Sequence, residues 1–301
     1  MAVTIDGTTG ITTPGVTDTG NLSVAGTTSL TTALPATSGG TGNSVVPGAG
    51  TIVYGDGTGY AYLSAGLSNQ VLISNGSSAP AWRNQYPAGT ATTPPILLAS
   101  GTNMTSPSAG AIEYDGTAFY GTPITGQRGI IPDAQYFRVN SGVVGANVGT
   151  VQSVFGVGVT LSSGTVYAFD ALYLFTKTAG VSSHSIGIGF SNTGSINNVA
   201  WKSISAFSGA GTLPGGSTAT YSAINNSLTS VTATASSATA NASAYIAVSG
   251  TISINFGGVF TPQYTLSTTP GGAYTTAAGS YFMIYPIGLA SATNVSVGTW
   301  A

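Results

Sequence analysis

The last third of the chain, Ser203 to Ala301, contains no Asp, Glu, Lys, Arg or His, and this constrains the fold more than any other feature. Ordinary soluble domains carry about a quarter charged residues. Thr, Ser, Asn, Gln and Gly supply the polarity here, and no apolar run reaches the roughly 18 residues expected of a membrane helix. The segment therefore predicts most of a β-sandwich whose neutral surface is partly covered by copies of itself.

The charge content of the whole chain excludes electrostatic partners. It has 5 basic and 7 acidic residues, whereas binding a phosphate backbone needs clustered Lys and Arg, so no nucleic acid, polybasic membrane contact or membrane insertion is predicted. Hydrophobic residues reach 42% against 4% charged residues, and homo-oligomerisation is the simplest way to cover that surface. With no Cys and one histidine, His184, no disulfide, metal site or cofactor is predicted.

The first 34 residues do not have the pattern of an export signal. The first basic residue is Arg83, and Gly, Thr and Pro interrupt residues 1–34, whereas a secretory signal needs a basic start and an apolar core. We expect cytoplasmic synthesis, and a neutral, cysteine-free, β-rich chain that is not exported fits a virion part released by lysis. Three chains wound together could bury Ile5 and Ile11 on a common axis; the alternative is a leader that orders only on its partner.

Two β-hairpins are predicted in residues 35–86, which we interpret as a stalk module. Asp56-Gly57 lies between Thr51–Tyr54 and Tyr60–Leu63, and Asn75-Gly76 follows Val71–Ser74, ahead of a run that ends at Trp82. Asp-Gly and Asn-Gly tolerate the positive φ of tight hairpin turns.

A partial repeat indicates that a second module of this kind lies in residues 87–139. The segment 49–60, AGTIVYGDGTGY, resembles the segment 109–120, AGAIEYDGTAFY, with one insertion before the turn. Pro87 to Pro107 is rich in Pro, Thr and Ser and is predicted to be a linker or an extended strand.

Five of the twelve charged residues lie in residues 113–139, interpreted as a neck. If Ala111–Tyr114 is a strand, Glu113 faces away from Ile112 and Tyr114, so it could reach a basic group across a chain boundary. We predict that four residues fix the register between subunits: Glu113, Arg128, Asp133 and Arg138.

Residues 140–301 predict a sandwich or jelly roll of about eight strands. Apolar residues of one parity recur in three stretches, and no stretch shows a 3.6-residue apolar period. The stretches are 155–161, 167–175 and 186–190, and later predicted strands are Val199–Phe207, Ala244–Ser249, Thr251–Phe256, Tyr264–Leu266 and Tyr281–Ile287. Gly, Pro and Asn turns at regular spacing are typical of these folds.

Three stretches resemble bacteriophage tail-fibre and related virion appendage proteins: TIDGTTGITTP with TGNLSVAGT, GTIVYGDGTG with NQVLISNGSSAPAW, and TPQYTLSTTPGGAYTTAAGSYFMIYPIG with GTW. The resemblance implies an all-β homotrimeric fibre. Residues 1–34, with Val3, Ile5 and Ile11, would attach to other virion proteins of the tail, collar or capsid. Residues 140–301 would form a tip similar to the C1q or tumour-necrosis-factor jelly roll. The predicted shaft is short, which leaves a head-decoration or collar fibre of mainly architectural role as the alternative to a tail fibre.

Catalytic interpretations are weaker than structural ones. Glu113 and Asp115 could serve as a glycosidase pair, but Asp115 begins an Asp-Gly turn, which already explains it. His184 with Asp170 and a serine could be drawn as a triad, yet no nucleophile-elbow sequence is present. Carboxylates are too few for a calcium cage, and Gly39 to Gly42 lacks the Lys of a phosphate loop. We therefore predict a non-enzymatic protein.

Recognition of a host-surface glycan or protein is the predicted activity of the tip. Sugar C–H faces pack on aromatic rings, and amides bond to sugar hydroxyls. The aromatic and amide candidates are Trp201, Tyr221, Asn225, Asn226, Tyr274 and Trp300. For each of them, packing within the core or between subunits is the competing interpretation.

Overall fold

A computed structural model describes residues 47–208, 220–291 and 293–300. The described residues contain no helix, and about half of them lie in strands, so the prediction of an all-β fold is confirmed for this part of the chain. None of the described residues belongs to a helix capable of crossing a membrane. The predicted attachment residues Val3, Ile5 and Ile11 lie outside the described ranges.

The chain divides into two compact units, one up to Leu97 and one from Leu98. In the first, β1 (Ile52–Gly55) pairs with β2 (Tyr60–Leu63), and β3 (Val71–Asn75) pairs with β4 (Ser78–Arg83). Both predicted hairpins are therefore confirmed. Gly57 and Gly76 take the positive φ that their turns require, +94° and +66°.

The repeated sequence forms the same turn twice. In the second unit, β5 (Ile112–Tyr114), β6 (Phe119–Ile124) and β7 (Gln127–Ile131) make an antiparallel sheet. Asp115 Oδ1 accepts hydrogen bonds from the backbone N–H groups two and three residues later, as Asp56 Oδ1 does in the first unit. Each carboxylate thus stands in for a backbone acceptor and closes its turn.

The remaining strands of the second unit run from residue 135 to residue 289. They are β8 (Gln135–Arg138), β9 (Val143–Val144), β10 (Gln152–Ser153), β11 (Val159–Leu161), β12 (Thr165–Lys177), β13 (Ile186–Asn192), β14 (Ser195–Ser208), β15 (Thr220–Asn225), β16 (Val231–Thr232), β17 (Ala242–Phe256), β18 (Gly258–Leu266), β19 (Thr275–Thr276) and β20 (Tyr281–Leu289).

Among the described residues these strands form a smaller and a larger antiparallel sheet. The smaller has the order β10-β18-β13-β16, with β11 also on β18. The larger has the order β15-β14-β17-β12, and the far edge of β12 pairs with β20 and then with β19. Strand β20 continues to β8, and β19 continues to β9.

One hydrophobic core joins the two sheets. Odd-numbered residues of β12 point inward, as their predicted parity requires, and Phe169 meets Phe190 and Phe260 of the smaller sheet with ring centroids 5.3 and 6.0 Å apart. Phe175 meets Tyr264 at 4.9 Å. This two-layer packing agrees with the expectation of a sandwich.

Two sequence expectations about this region need correction. The boundary expected at residue 139 divides an intact unit, because β8 is an edge strand of the larger sheet and Val139 N donates to Ser280 O at 2.8 Å. The parity of residues 155–161 does not mark one strand, since β11 starts at Val159 and Val157 is half exposed.

Candidate functional site

An open cleft lies beside the C-terminal segment of the second unit. Strand β20 ends at Leu289, Ala290 N donates to Gly164 O at 2.7 Å, and the chain continues to Trp300. The cleft measures about 510 Å³. Its lining combines aliphatic side chains with hydroxyl groups: Ile130, Val166, Ile287, Leu289, Ser291, Thr293, Val295, Ser296, Val297 and Trp300, with Gly288.

Trp300 is the large aromatic side chain of this cleft. It is 80% exposed, and its Nε1 donates to Val297 O at 2.9 Å. That hydrogen bond orients the indole without burying it, so the ring faces stay available. An accessible ring beside Ser and Thr hydroxyls can pack on one face of a neutral polar ligand and bond to its hydroxyl groups.

A second, more polar cavity of about 410 Å³ adjoins the other side of the same segment. Val295, Ser296 and Val297 line both cavities, so this stretch forms a common wall. The remaining lining consists of Asn103, Thr105, Pro107, Tyr120, Gly126, Arg128 and Gly298. The buried Oδ1 of Asn103 has no hydrogen-bond partner among the described residues, which leaves an acceptor for a ligand hydroxyl or for water.

The charged pair at this cavity belongs to a single chain. Arg128 Nε lies 2.8 Å from Glu113 Oε2, and Arg128 Nη2 also bonds to the Met104 carbonyl. Met104 N–H donates to Glu113; this bond and the Arg128 guanidinium hold the pKa of Glu113 below its usual value. Within the chain, the basic group that Glu113 reaches is therefore Arg128 of its own sheet, and the role of this pair between subunits stays a prediction.

The second carboxylate of this sheet is committed to structure. Burial acts to raise the pKa of Asp115, but hydrogen bonds from Ala118 N–H, Tyr120 O–H and Thr117 N–H outweigh it and lower the pKa. Burial and the Asp115 charge raise the pKa of Tyr120 to about 12. Both carboxylates thus stay ionised at neutral pH, whereas a glycosidase acid requires a raised pKa.

Two predicted receptor residues are core residues instead. Trp201 is 3% exposed, donates from Nε1 to Ser227 O at 2.9 Å, and packs edge-on against Phe190. Tyr274 is 1% exposed. Burial in the core removes both rings from any surface that a receptor could touch, which corrects their assignment.

Tyr274 belongs to a buried polar cluster with His184 and Lys177. His184 Nδ1 faces the Ser182 carbonyl at 2.7 Å and must donate to it, so Nε2 accepts from Tyr274 O–H at 2.8 Å. The Lys177 ammonium lies 5.9 Å from the Tyr274 ring centroid and donates to two carbonyls, Gly180 O and Thr239 O. His184 and Asp170 do not form a triad, because Asp170 bonds to Tyr281 O–H instead.

The other predicted side chains remain near the surface or lie outside the description. Asn225 closes a turn, donating from Nδ2 to Thr229 O at 2.8 Å and accepting from Ser227 N–H at 3.1 Å. Asn226 is exposed in that turn. Tyr221 lies in β15, but its side chain is outside the described part of the chain. Asp133 and Arg138 are exposed, and their intersubunit role stays a prediction.

Sequence reasoning missed Asn103, Thr105, Ile130 and Leu289. The first two fall in or near the stretch interpreted as a linker, and the last two are ordinary strand residues, so nothing in their local pattern marks a site. In the described ranges, no group of three or more His, Cys, Asp or Glu side chains could hold a metal ion.

Comparison with known proteins gave no relatives. No family model, curated protein or solved structure matches this chain.

Proposed function

We propose that this chain is a non-enzymatic, homotrimeric fibre protein of a phage virion, with a jelly-roll tip that binds a neutral host-surface glycan at the cleft beside Trp300. The observation that carries the proposal is an exposed indole next to a cleft lined by hydroxyls and aliphatic side chains. Stacking on an aromatic face and hydroxyl hydrogen bonds need no charge, which suits the uncharged C-terminal third.

The small β-hairpins support the fibre part of the proposal. Two hairpin units with the same turn chemistry occur about sixty residues apart, and short β-units of this kind gain stability by packing on neighbours. The fibre would attach to other virion proteins through residues 1–34, and the protein would be found in the virion.

Glycan binding is tested with the full chain and the substitution Trp300→Ala. We expect the affinity for host-surface polysaccharide, measured by titration calorimetry, to fall about two- to tenfold, since a stacked aromatic contributes roughly 0.5–1.5 kcal/mol beyond its buried area. Leu67→Ala, which removes another exposed apolar side chain from the first unit, is the matched control and should leave the affinity unchanged. Equal affinities for both variants would remove Trp300 from the site.

Two further measurements test where the protein lies on the virion and whether it cleaves the polysaccharide it binds. Antibody labelling of purified particles shows whether the protein lies on the tail, collar or head, and absence from particles overturns the virion proposal. Release of oligosaccharides from host polysaccharide during the binding assay would replace the non-enzymatic proposal by a depolymerase.

A further inference from the structure

The outward face of the larger sheet is broad and largely apolar. Even-numbered residues of β12 point to it, and the register extends the same face over the neighbouring strands. We call this surface the open face and define it by Ile204, Tyr245, Leu172, Leu174, Tyr281 and Tyr136. Ile204, Tyr245 and Tyr136 are 48%, 38% and 56% exposed. An apolar sheet face of this kind is typical of an interaction surface.

The few charges of this part of the chain are placed unevenly. After Arg138 the sequence contains three charged side chains, Asp170, Lys177 and Lys202. Lys177 is buried against backbone carbonyls. The other two both project from the open face, and Arg138 lies on its edge strand β8 as the register partner of Tyr281.

Asp170 and Lys202 lie in one row across that face. Ser249 of β17 is the register partner of Asp170 on one side and of Lys202 on the other. Two steps between strands separate them by about 10 Å. Neither has an oppositely charged partner within the described residues, although Asp170 accepts a hydrogen bond from Tyr281 O–H at 2.6 Å.

The dimensions of the open face are those of a protein interface. Six strands, from β15 to β8, span about 24 Å, and the nine residues of β20 rise about 30 Å, which gives roughly 700 Å² with the end of β20 that lines the cleft included. Each partner of a standard interface buries about 800 Å². Arg138 lies at the β8 edge of the face, opposite Tyr281. Because the row in the middle of the face carries one positive and one negative group, that part is complementary in charge to another copy of itself.

We propose that the open face contacts a second copy of this chain, and that Lys202 of one copy pairs with Asp170 of the next. This rests on the proposed homotrimer and names its contact surface. Around a threefold axis each copy presents Lys202 to one neighbour and Asp170 to the other, so the ring closes with both charges of this row paired. The apolar side chains around the pair exclude water and strengthen it.

Charge reversal in the full chain tests this contact. Lys202→Glu and Asp170→Lys are each expected to speed subunit exchange about tenfold or more, because close interfacial charge pairs couple strongly. The double variant K202E/D170K restores the opposite signs and should return the exchange rate to that of the unaltered chain. Arg83→Glu makes the same charge change on an exposed side chain of the first unit and should have no effect.

The outcomes separate this inference from the homotrimer itself. A monomer of the unaltered chain at micromolar concentration in sedimentation overturns both. An oligomer whose exchange rate is unchanged by Lys202→Glu overturns the inference alone. Lys202 makes no hydrogen bond within the described residues, so this variant remains decisive even if Asp170→Lys loses its fold along with the Tyr281 hydrogen bond.

Discussion

His184 shows how a single titratable side chain couples the core to pH. Burial is the main cause that lowers its pKa from the usual 6.5, and the Lys177 charge adds to the effect, whereas the hydrogen bond to Ser182 O opposes it. The Tyr274 hydroxyl donates to its neutral form. The folded chain therefore holds His184 uncharged under conditions in which an unfolded chain would protonate it.

We predict that the free energy of unfolding falls as the pH is lowered through about 6.5. Below that pH the unfolded chain takes up a proton at His184 while the folded chain does not, so protonation favours unfolding until the lowered folded pKa is reached. Urea denaturation between about pH 7 and about pH 5.5 should show this slope.

The matched variant for this prediction is His184→Asn, which removes the titrating group. This variant is expected to be less stable at every pH. Between about pH 7 and about pH 5.5 its unfolding free energy should change much less with pH than that of the unaltered chain. The depressed pKa values of Asp56, Glu113 and Asp115 act at lower pH, because their usual values are 3.8, 4.5 and 3.8. If His184→Asn keeps the full pH dependence of the unfolding free energy, this would contradict the assignment of that dependence to His184.

At the residue scale, the sequence indicates which aromatic side chains could contact a ligand but not which of them are exposed. Trp201, Tyr274 and Trp300 were all candidate ligand contacts, and the structure leaves Trp300 exposed among them. Burial depends on strand pairing across many residues. Trp201 lies inside because it is on the face of β14 that packs against Phe190 of the smaller sheet, and no local pattern around a tryptophan records which face is covered.

At the level of elements, β17 shows why local patterns divided a continuous strand. Gly250 separates the predicted strands Ala244–Ser249 and Thr251–Phe256, since glycine inside a strand pattern usually indicates a break or a bulge. In the structure β17 continues through it. A Cβ on Gly250 would lie 2.4 Å from Ala200 O and 2.8 Å from Phe169 Cζ, so the missing side chain makes room for the Phe169 ring.

Gly250→Ala is predicted to destabilise the second unit by about 1–3 kcal/mol, because it forces a methyl group into a packed site that includes backbone. Gly129→Ala in β7 is the control, since a Cβ there meets nothing within 4 Å and is expected to change stability by less than about 0.5 kcal/mol. Urea denaturation measures both. Equal effects would mean that the close contacts at Gly250 relax without cost.

The hairpins were predictable for the opposite reason. Asp56-Gly57 and Asp115-Gly116 specify their turns through side-chain hydrogen bonds that span two or three residues, together with φ near +94° at both glycines. Such signals are complete within four residues. The pairing of β8 with β20 joins residues more than 140 positions apart and leaves no comparable signal. This is why the sequence pattern indicates a boundary at residue 139 where the fold is continuous.

At the scale of the whole molecule, the two compact units meet in sequence at Leu97 and Leu98. The main hydrophobic core draws all its residues from the second unit, from Val139 to Ile284. Folding of that unit therefore needs no side chain of the first unit for this core.

A chain consisting of residues 98–301 is predicted to fold alone. Its near-ultraviolet circular dichroism spectrum should show the bands that the full chain gives for buried aromatic rings, because the buried Tyr, Phe and Trp rings of the second unit keep the same neighbours. A shorter chain that begins after residue 139 and runs to residue 301 should show no cooperative unfolding transition. It lacks β8 and Val139, which belong to the larger sheet in the structure. Cooperative unfolding of that shorter chain would argue for the boundary at residue 139.

The burial of Lys177 has a practical consequence for labelling. The sequence contains two lysines, and the amine of Lys177 is enclosed and bonded to two carbonyls. Among the described residues, Lys202 is thus the lysine whose amine an acylating dye can reach in the folded single chain. Pairing of Lys202 with Asp170 of a neighbouring copy would then slow the acylation of this amine, and peptide mapping distinguishes that reaction from acylation of the α-amino group.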